Sequence, residues 1–202
     1  MTAFTDNLDH VLDLPAAPYT LPTSGPIGGG RAVFSVSVAR QARPVAHTFE
    51  HWCEEAGRLQ VDLPAFNWQA IADFRPDHPI VLIHTGSSVQ ALMQLRETHS
   101  VPCPLGVRGP QTYISLLEVA PWNRNDAASR RYRGLGQLML RFACQRSRQL
   151  GHDGRIGLHA LGSAEGFYDR LGFSAPLCPN EYHEMCFELP PEAALALIAE
   201  EV

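Results

Sequence analysis

A mixed α/β domain is expected from three observations on this chain. The first half consists mainly of short apolar or alternating runs. The second half alternates helical spacing with such runs. The length of 202 residues, 45% of them hydrophobic and 18% charged, suits one well-cored domain or one domain with an appendage.

Residues 1–30 read as an N-terminal arm and turn-rich connection. A short amphipathic stretch, Asn7 to Leu14, runs into Pro15, Pro18, Pro22 and Pro26 and then the triplet Gly28-Gly29-Gly30, a composition that turns the chain without building a core. No Lys-Ser or Lys-Thr follows the triplet, so it reads as a turn and not as a phosphate loop. Residues 31–202 are expected to form a single domain. Within it, Ala32 to Val38 alternates as a strand, residues 44–58 read as a helix, and Trp68 to Phe74 as a second, short one. Pro79 to His84 and Val89 to Leu95 are predicted strands separated by the turn Thr85-Gly86-Ser87, and Thr112 to Val119 is a third that closes at Pro121. Leu135, Leu138, Met139, Phe142 and Ala143 then recur at helical spacing, with Arg141, Gln145 and Arg148 turned away and Gly151 as the stop. Ile156, Leu158 and Ala160 alternate as a strand. Ser163 to Leu171 is a short helix ending at Gly172, Glu184 to Leu189 a last strand, and Pro191 to Glu200 a closing helix.

Composition excludes several classes. No apolar run approaches the roughly 18–20 residues that cross a bilayer, and the opening MTAFTDNLDH carries acids where a secretory signal carries bases. Cys53, Cys103, Cys144, Cys178 and Cys186 are odd in number and lack C-x-x-C spacing, which argues for reduced thiols in a cytoplasm and against a disulfide framework or zinc site. His47 and His51 stand four apart on a predicted helix beside Glu50, Cys53 and Glu54, but no third ligand is placed to complete a metal site; a solvated face is the reading, and His183-Glu184 carries no signal. Net charge is −5, unevenly spread: residues 121–150 hold Arg124, Arg130, Arg131, Arg133, Arg141, Arg146 and Arg148 against Asp126 alone. A basic patch on an acidic chain points to one small polyanion, not to nucleic acid along a whole face.

The segment most able to hold that anion is Arg131-Tyr132-Arg133-Gly134-Leu135-Gly136. It follows a strand ending Leu117-Glu118-Val119-Ala120-Pro121 and opens the long helix. Glycines at a helix start let backbone approach a ligand, and the unpaired N–H groups of the first turn, the helix dipole and flanking arginines make an anion cradle. A dinucleotide fingerprint fails for want of its third glycine, and a Walker loop fails because the chain has no lysine. Alone, the segment is equally a glycine-eased turn before an amphipathic helix. About thirty residues on stands Ala164-Glu165-Gly166-Phe167-Tyr168-Asp169-Arg170-Leu171-Gly172-Phe173.

The ordered pair, strand then R-x-x-G-x-G then helix, followed by strand then A-x-x-F-Y-x-x-L-G-F, resembles the two signature motifs of the GNAT superfamily of acetyl-CoA-dependent N-acetyltransferases. The likeness covers about residues 112–189. It implies a mixed, mostly antiparallel central sheet with helices on both faces and splayed central strands that bind acetyl-CoA, with no metal. It also implies roles. Arg131, Arg133, Gly134, Leu135 and Gly136 would face the pyrophosphate. Leu117 and Val119 would lie along the pantetheine, the Val119 N–H serving the thioester carbonyl as an oxyanion donor. Phe167 would pack on the pantetheine, and Tyr168 would protonate the departing thiolate. The alternative for Tyr168 is a packing side chain with its hydroxyl at the surface.

An ammonium has no lone pair, so the acceptor amine must lose a proton. Glu118, an acid on the apolar strand face of Ile114 and Leu116, and His159, on the downstream strand, are the candidate bases; a solvent-reaching glutamate, a structurally satisfied histidine and a water relay are the alternatives. Two departures from the family pattern stand out. Trp122 to Arg130 intervene where the family runs almost directly from Val-x-Pro to its arginine or glutamine. Leu161 stands where the family often has an asparagine, leaving Ser163 to bond the cofactor. The insertion either shapes an acceptor pocket or bulges into solvent.

Three functions are therefore in play. The first is acetyl transfer from acetyl-CoA to a primary amine of a small molecule or protein, with a cationic acceptor favoured by the acidic remainder. The second is an acyl-CoA or partner-binding module without turnover, and the third is acetylation of an aminoacyl-tRNA. Partners at a membrane are not expected, nucleic acid is disfavoured by the acidic charge, and a homodimer is allowed.

Overall fold

The computed structural model describes residues 19–22, 31–39, 42–75, 77–99, 109–124, 127, 130–174 and 185–199. The amphipathic stretch Asn7 to Leu14, the glycine triplet and His183-Glu184 lie outside them. The elements run β1 (Tyr19–Pro22), β2 (Arg31–Ala39), α1 (Ala42–Leu59), α2 (Trp68–Phe74), β3 (Ile80–Thr85), β4 (Ser88–His99), β5 (Gln111–Val119), a 3-10 turn (Pro121–Asn123), α3 (Leu135–Gln149), β6 (Ile156–Ala160), a 3-10 turn (Gly162–Ala164), α4 (Glu165–Arg170), β7 (Met185–Leu189) and α5 (Pro191–Ala199). The strands follow the order β1-β2-β3-β4-β5-β6-β7. The pairs β1/β2, β2/β3, β3/β4 and β6/β7 are antiparallel, while β5/β6 is parallel with Thr112 opposite Ile156. A parallel pair needs a long crossover, and α3 belongs to that connection. This is the mixed, mostly antiparallel α/β architecture expected above.

Differences from the sequence expectation have local causes. β1 lies within the stretch read as an arm, and it pairs with β2 from Tyr19↔Phe34 to Pro22↔Arg31. Helix α1 starts at Ala42, not at 44, because Pro44 sits in the first turn, where its missing N–H has no intrahelical partner to lose. β4 continues past Leu95 to His99 through polar residues, since backbone pairing does not require apolar side chains. The helix expected from Ser163 divides into a 3-10 turn and α4.

Two compact units divide the described residues. The first takes residues up to Gln94 and Leu117–Met139. Its α1 buries Val45, Thr48, Trp52, Glu55 and Ala56, a stripe at helical spacing. Trp52 and Trp68 are fully buried, and the Trp52 Nε1–H donates to the Val89 carbonyl at 3.0 Å, so the ring is buried with its one polar atom satisfied. Asn67 caps α2 by accepting the Ala70 N–H at 3.0 Å.

The second unit takes Leu95–Leu116 and Leu140–Glu201. Phe142, Ala143, Cys144, Ile156, Leu158, Phe173, Phe187, Leu189 and Leu197 form its core. Gly151 ends α3 with φ 79°, a conformation glycine adopts at no steric cost. A buried polar group runs through this core. The Arg155 carbonyl accepts from the Thr112 N–H (3.2 Å) and the Ser147 hydroxyl (2.6 Å), and the Arg155 guanidinium reaches Glu188 Oε1 through Nε (3.0 Å) and Nη2 (2.7 Å). His152 belongs to the same group, with Nδ1 3.4 Å from the Thr112 hydroxyl.

Burial, reinforced by the Arg155 charge and opposed by Asp153, holds the His152 imidazole below its ordinary range. In the unfolded chain it titrates near ~6.5, so as pH falls below that value the unfolded state takes up a proton that the folded state resists. Stability is therefore lost on acidification. The urea midpoint of the wild type should fall between pH 7 and pH 5 by more than that of His152→Gln, and an equal fall would contradict the assignment.

Candidate active site

In the first unit, the end of β5 is organised by one carboxylate. Glu118 is 6% exposed. Its Oε1 accepts from the Ala65 N–H (2.6 Å) and from Arg124 Nη2 (2.7 Å), and its Oε2 from Trp68 Nε1–H (2.8 Å). Arg124 Nη2 also donates to the Leu63 carbonyl at 2.9 Å. Glu118 thus fastens the connection between α1 and α2 to the end of β5. Its neighbours Leu117 and Val119 are half-buried.

The chain then turns at Pro121–Asn123, whose three residues are all buried. The first part of the insertion neither lines an open surface nor bulges into solvent. Trp122 packs in edge contact with Trp52 and His51, and Arg124 is tied to Glu118. Asn123 Oδ1 accepts the N–H groups of Arg131 (3.3 Å) and Tyr132 (3.1 Å). The Arg131 guanidinium lies 5.4 Å from the Trp122 ring centroid and donates to Glu55 Oε1 at 3.0 Å. Glu55 also accepts two hydrogen bonds from Arg58, and its carboxyl is held below its usual range, first by the Arg58 hydrogen bond. Arg131 is therefore committed both by main chain and by side chain, although its side chain is still 43% exposed.

The rest of the segment leads into α3, with Arg133 exposed, Gly134 and Gly136 half-buried and Leu135 buried. Gly134 has φ 79° and its carbonyl accepts the Leu138 N–H at 2.9 Å, which makes it the residue that opens α3. The N–H groups of Leu135 and Gly136 fall in the first turn, where no intrahelical acceptor exists. Arg133 is exposed and makes no hydrogen bond or ion pair among the described residues. Arg130 is held below the usual arginine range by burial and then by the Arg133 charge, so positive potential gathers at this turn.

In the second unit, Tyr168 on α4 is packed against the rings of Phe167 (5.1 Å between centroids), Phe173 (5.3 Å) and Phe187 (5.8 Å). Burial pushes its phenol up to about 12. His159 on β6 is hydrogen-bonded through Nδ1 to the Tyr113 hydroxyl on β5. Ser163 is exposed in the 3-10 turn before α4, and Phe167 is half-buried. Leu117, Glu118, Val119, Arg131, Arg133, Gly134, Leu135 and Gly136 thus belong to the first unit, and His159, Ser163, Phe167 and Tyr168 to the second.

His47 and His51 are exposed on α1, and no cluster of three metal-ligating side chains occurs among the described residues. No helix among them is long and apolar enough to cross a membrane. The sequence reading missed Gln90 and Glu55 and met Asn123 only as part of the inserted loop. Glu55 carried a legible signal, an acid on the buried stripe of α1; Gln90 carried none.

Comparison with solved structures identifies the architecture. A bacterial toxin superposes with a TM-score of 0.61 at 14% identity, covering 85% of this chain and 98% of that one. A tyrosine-to-phenylalanine mutant of the toxin AtaT, bound to the C-terminus of the antitoxin AtaR and acetyl-CoA, gives 0.52 at 13% identity over 83% and 99%. The Bacillus subtilis N-acetyltransferase YlbP in complex with coenzyme A gives 0.50 at 15% identity over 78% and 98%. The fold is the GNAT fold. Neither protein-family models nor curated proteins match the chain. At these identities the likeness establishes the GNAT fold and leaves the chemistry to the residues.

Removing the Glu118 carboxylate strands a half-buried guanidinium, an indole N–H and an amide N–H. Glu118→Ala should lower unfolding free energy by roughly 3–5 kcal/mol, the usual cost of breaking a buried pair from one side, as read by urea denaturation. A loss below about 1 kcal/mol, in the range of an exposed pair, would show that the carboxylate is not an anchor.

Proposed function

We propose that this chain transfers an acetyl group from acetyl-CoA to a primary amine of a small molecule or protein. The observation that carries the reading is the start of α3: Gly134 at positive φ, the first-turn N–H groups of Leu135 and Gly136 behind it, and Arg133 uncommitted beside it. On a GNAT fold, this arrangement supports a pyrophosphate site. Acetyl-CoA among the ligands of similar structures agrees with it.

In this reading, Leu117 and Val119 flank the pantetheine, the Val119 N–H receives the charge that develops on the thioester oxygen, and Phe167 packs against the cofactor. Ser163 bonds the cofactor in place of the asparagine that Leu161 replaces. Arg131 contributes chiefly by bracing the turn through Glu55 and Trp122. The amine nitrogen attacks the thioester carbon, the C–S bond breaks, and the thiolate takes the proton of the Tyr168 hydroxyl. A phenol at about 12 facing a thiol of pKa ~8.5 in water would leave the transfer uphill by roughly 5 kcal/mol. Burial raises thiols as well: Cys144, fully enclosed in the same unit, is pushed up to about 12. The acid step therefore needs the site to raise the departing thiol in the same sense as burial raises Cys144.

For the proton of the amine, His159 or a water relay is the reading favoured over Glu118. A proton taken up on Glu118 would disrupt hydrogen bonds to Ala65, Trp68 or Arg124, whereas His159 is oriented by Tyr113. Acetylation of an aminoacyl-tRNA gains less support. Arg124, Arg131 and Arg146 are ion-paired with Glu118, Glu55 and Glu97, which reduces the positive charge left for RNA.

The test is free-thiol release from acetyl-CoA across a panel of amines. Turnover with at least one amine is expected, and failure to bind CoA would remove the proposal. Tyr168→Phe should slow turnover by about tenfold or more while CoA affinity stays within error; an unchanged rate would take Tyr168 out of the mechanism. Because Tyr168 stays protonated well above neutrality, the wild-type rate should not fall between pH 7 and pH 10 through loss of its proton.

A further inference from the structure

A cradle built from the end of β5 and the start of α3 can grip one cofactor only if the two lie at a set distance, yet residues 122–130 are inserted between them. Left to itself, such a loop has many closed conformations and fixes nothing at its ends. We propose that Gln90 and Asn123 are positioning residues for acetyl-CoA, forming a clamp that closes the inserted loop at its base and sets the glycine turn against the end of β5. The inference rests on the acetyl-CoA reading above.

The clamp is continuous and fully paired. Asn123 is 3% exposed and Gln90 1%. Asn123 Oδ1 spends both lone pairs on the far side of the insertion, on the N–H groups of Arg131 and Tyr132. On the near side, Asn123 Nδ2 donates to Gln90 Oε1 at 2.8 Å, and the Trp122 Nε1–H donates to the same oxygen at 3.1 Å. Gln90 is held in turn by Ser88, whose hydroxyl accepts from Gln90 Nε2 at 2.8 Å. The Gln90 carbonyl accepts the Ala120 N–H at 2.8 Å, one residue beyond Val119. The two buried side-chain amides therefore join β4, the 3-10 turn and the segment that leads into Gly134, and the Gln90 main chain adds the residue just after β5. No other side chain among the described residues bonds the main chain of both Arg131 and Tyr132.

Two partners make this more than a buried polar group satisfying itself. Asn123 reaches across the insertion, not within its own turn, and what it holds lies two residues before Gly134. Misplacement of reacting groups by about 1 Å is enough to cost on the order of a hundredfold in rate, so a cradle whose leading residues wander should bind poorly even when the rest of the protein is intact.

Calorimetric titration with CoA tests the inference on Asn123→Ala, with Ser147→Ala as the comparison. Ser147 is equally buried and its hydroxyl also bonds main chain, at Arg155 in the second unit, so its loss destabilises without touching the clamp. Asn123→Ala should weaken CoA about tenfold and speed amide exchange at Arg131 and Tyr132, while Ser147→Ala lowers the melting temperature and leaves CoA affinity within about twofold. Asn123→Ser serves the same measurement if the alanine variant does not fold. A wild type that binds CoA with an Asn123 variant that binds it as tightly, or a Ser147→Ala that weakens it equally, overturns the clamp alone. A wild type that binds no CoA overturns the proposed function and the clamp with it.

Discussion

A carboxylate taken out of water must be met by donors, and in the first unit that requirement falls on Glu118. Its two oxygens gather an amide N–H from the connection after α1, an indole N–H from the start of α2 and a guanidinium from the turn after β5. Few arrangements supply three donors at once, so the end of β5, the linker over residues 60–67 and the 3-10 turn are located together. Trp68 and Trp122 are then buried on either side of this joint, and the hydrophobic effect does the rest of the work of compaction. The segment before Gly134 is tied to the same 3-10 turn through Asn123, which accepts the Arg131 and Tyr132 N–H groups.

The arginines follow the same logic in reverse. Read along the chain, residues 121–150 look like a patch of unopposed positive charge. In the folded protein Arg124 meets Glu118, Arg131 meets Glu55, Arg146 meets Glu97 at 2.6 Å, and Arg141 reaches the Ile198 carbonyl at 3.0 Å. Arg131, Arg141 and Arg146 find partners 76, 57 and 49 positions away in sequence, which is why charge counting overstates the field available to a ligand. Arg133 remains exposed beside the glycine turn. Less unpaired positive charge is therefore left beside the glycine turn than composition suggests.

Local features were legible in the sequence to within a few residues. The period-3.6 stripe of α1, the stop of α3 at Gly151, the strands on either side of Gly86 and the short helix α2 all depend on contacts between near neighbours, and their residue patterns record those contacts directly. The ordered pair of motifs likewise sits within continuous segments, so the resemblance to the GNAT pattern could be drawn and the fold expected from it. Glu118 was visible as an acid on an apolar face. That its partners would be Ala65, Trp68 and Arg124 was not, because a lone buried acid looks the same whether it is a base, an anchor or a solvent-reaching side chain.

Sequence alone settled most of the elements, their order and the glycine start of α3, since each follows from steric preference and hydrophobic periodicity over a few residues, while β1, inside the stretch read as an arm, escaped it. Tertiary structure decided how the polar groups are matched: Arg131 with Glu55 across 76 positions, Asn123 with Gln90 across 33, and Glu118 with Trp68 across 50. A hydrogen bond has no sequence period. It forms wherever folding brings a donor and an acceptor together out of water, and so the joints that hold this cradle could be read only from the folded chain.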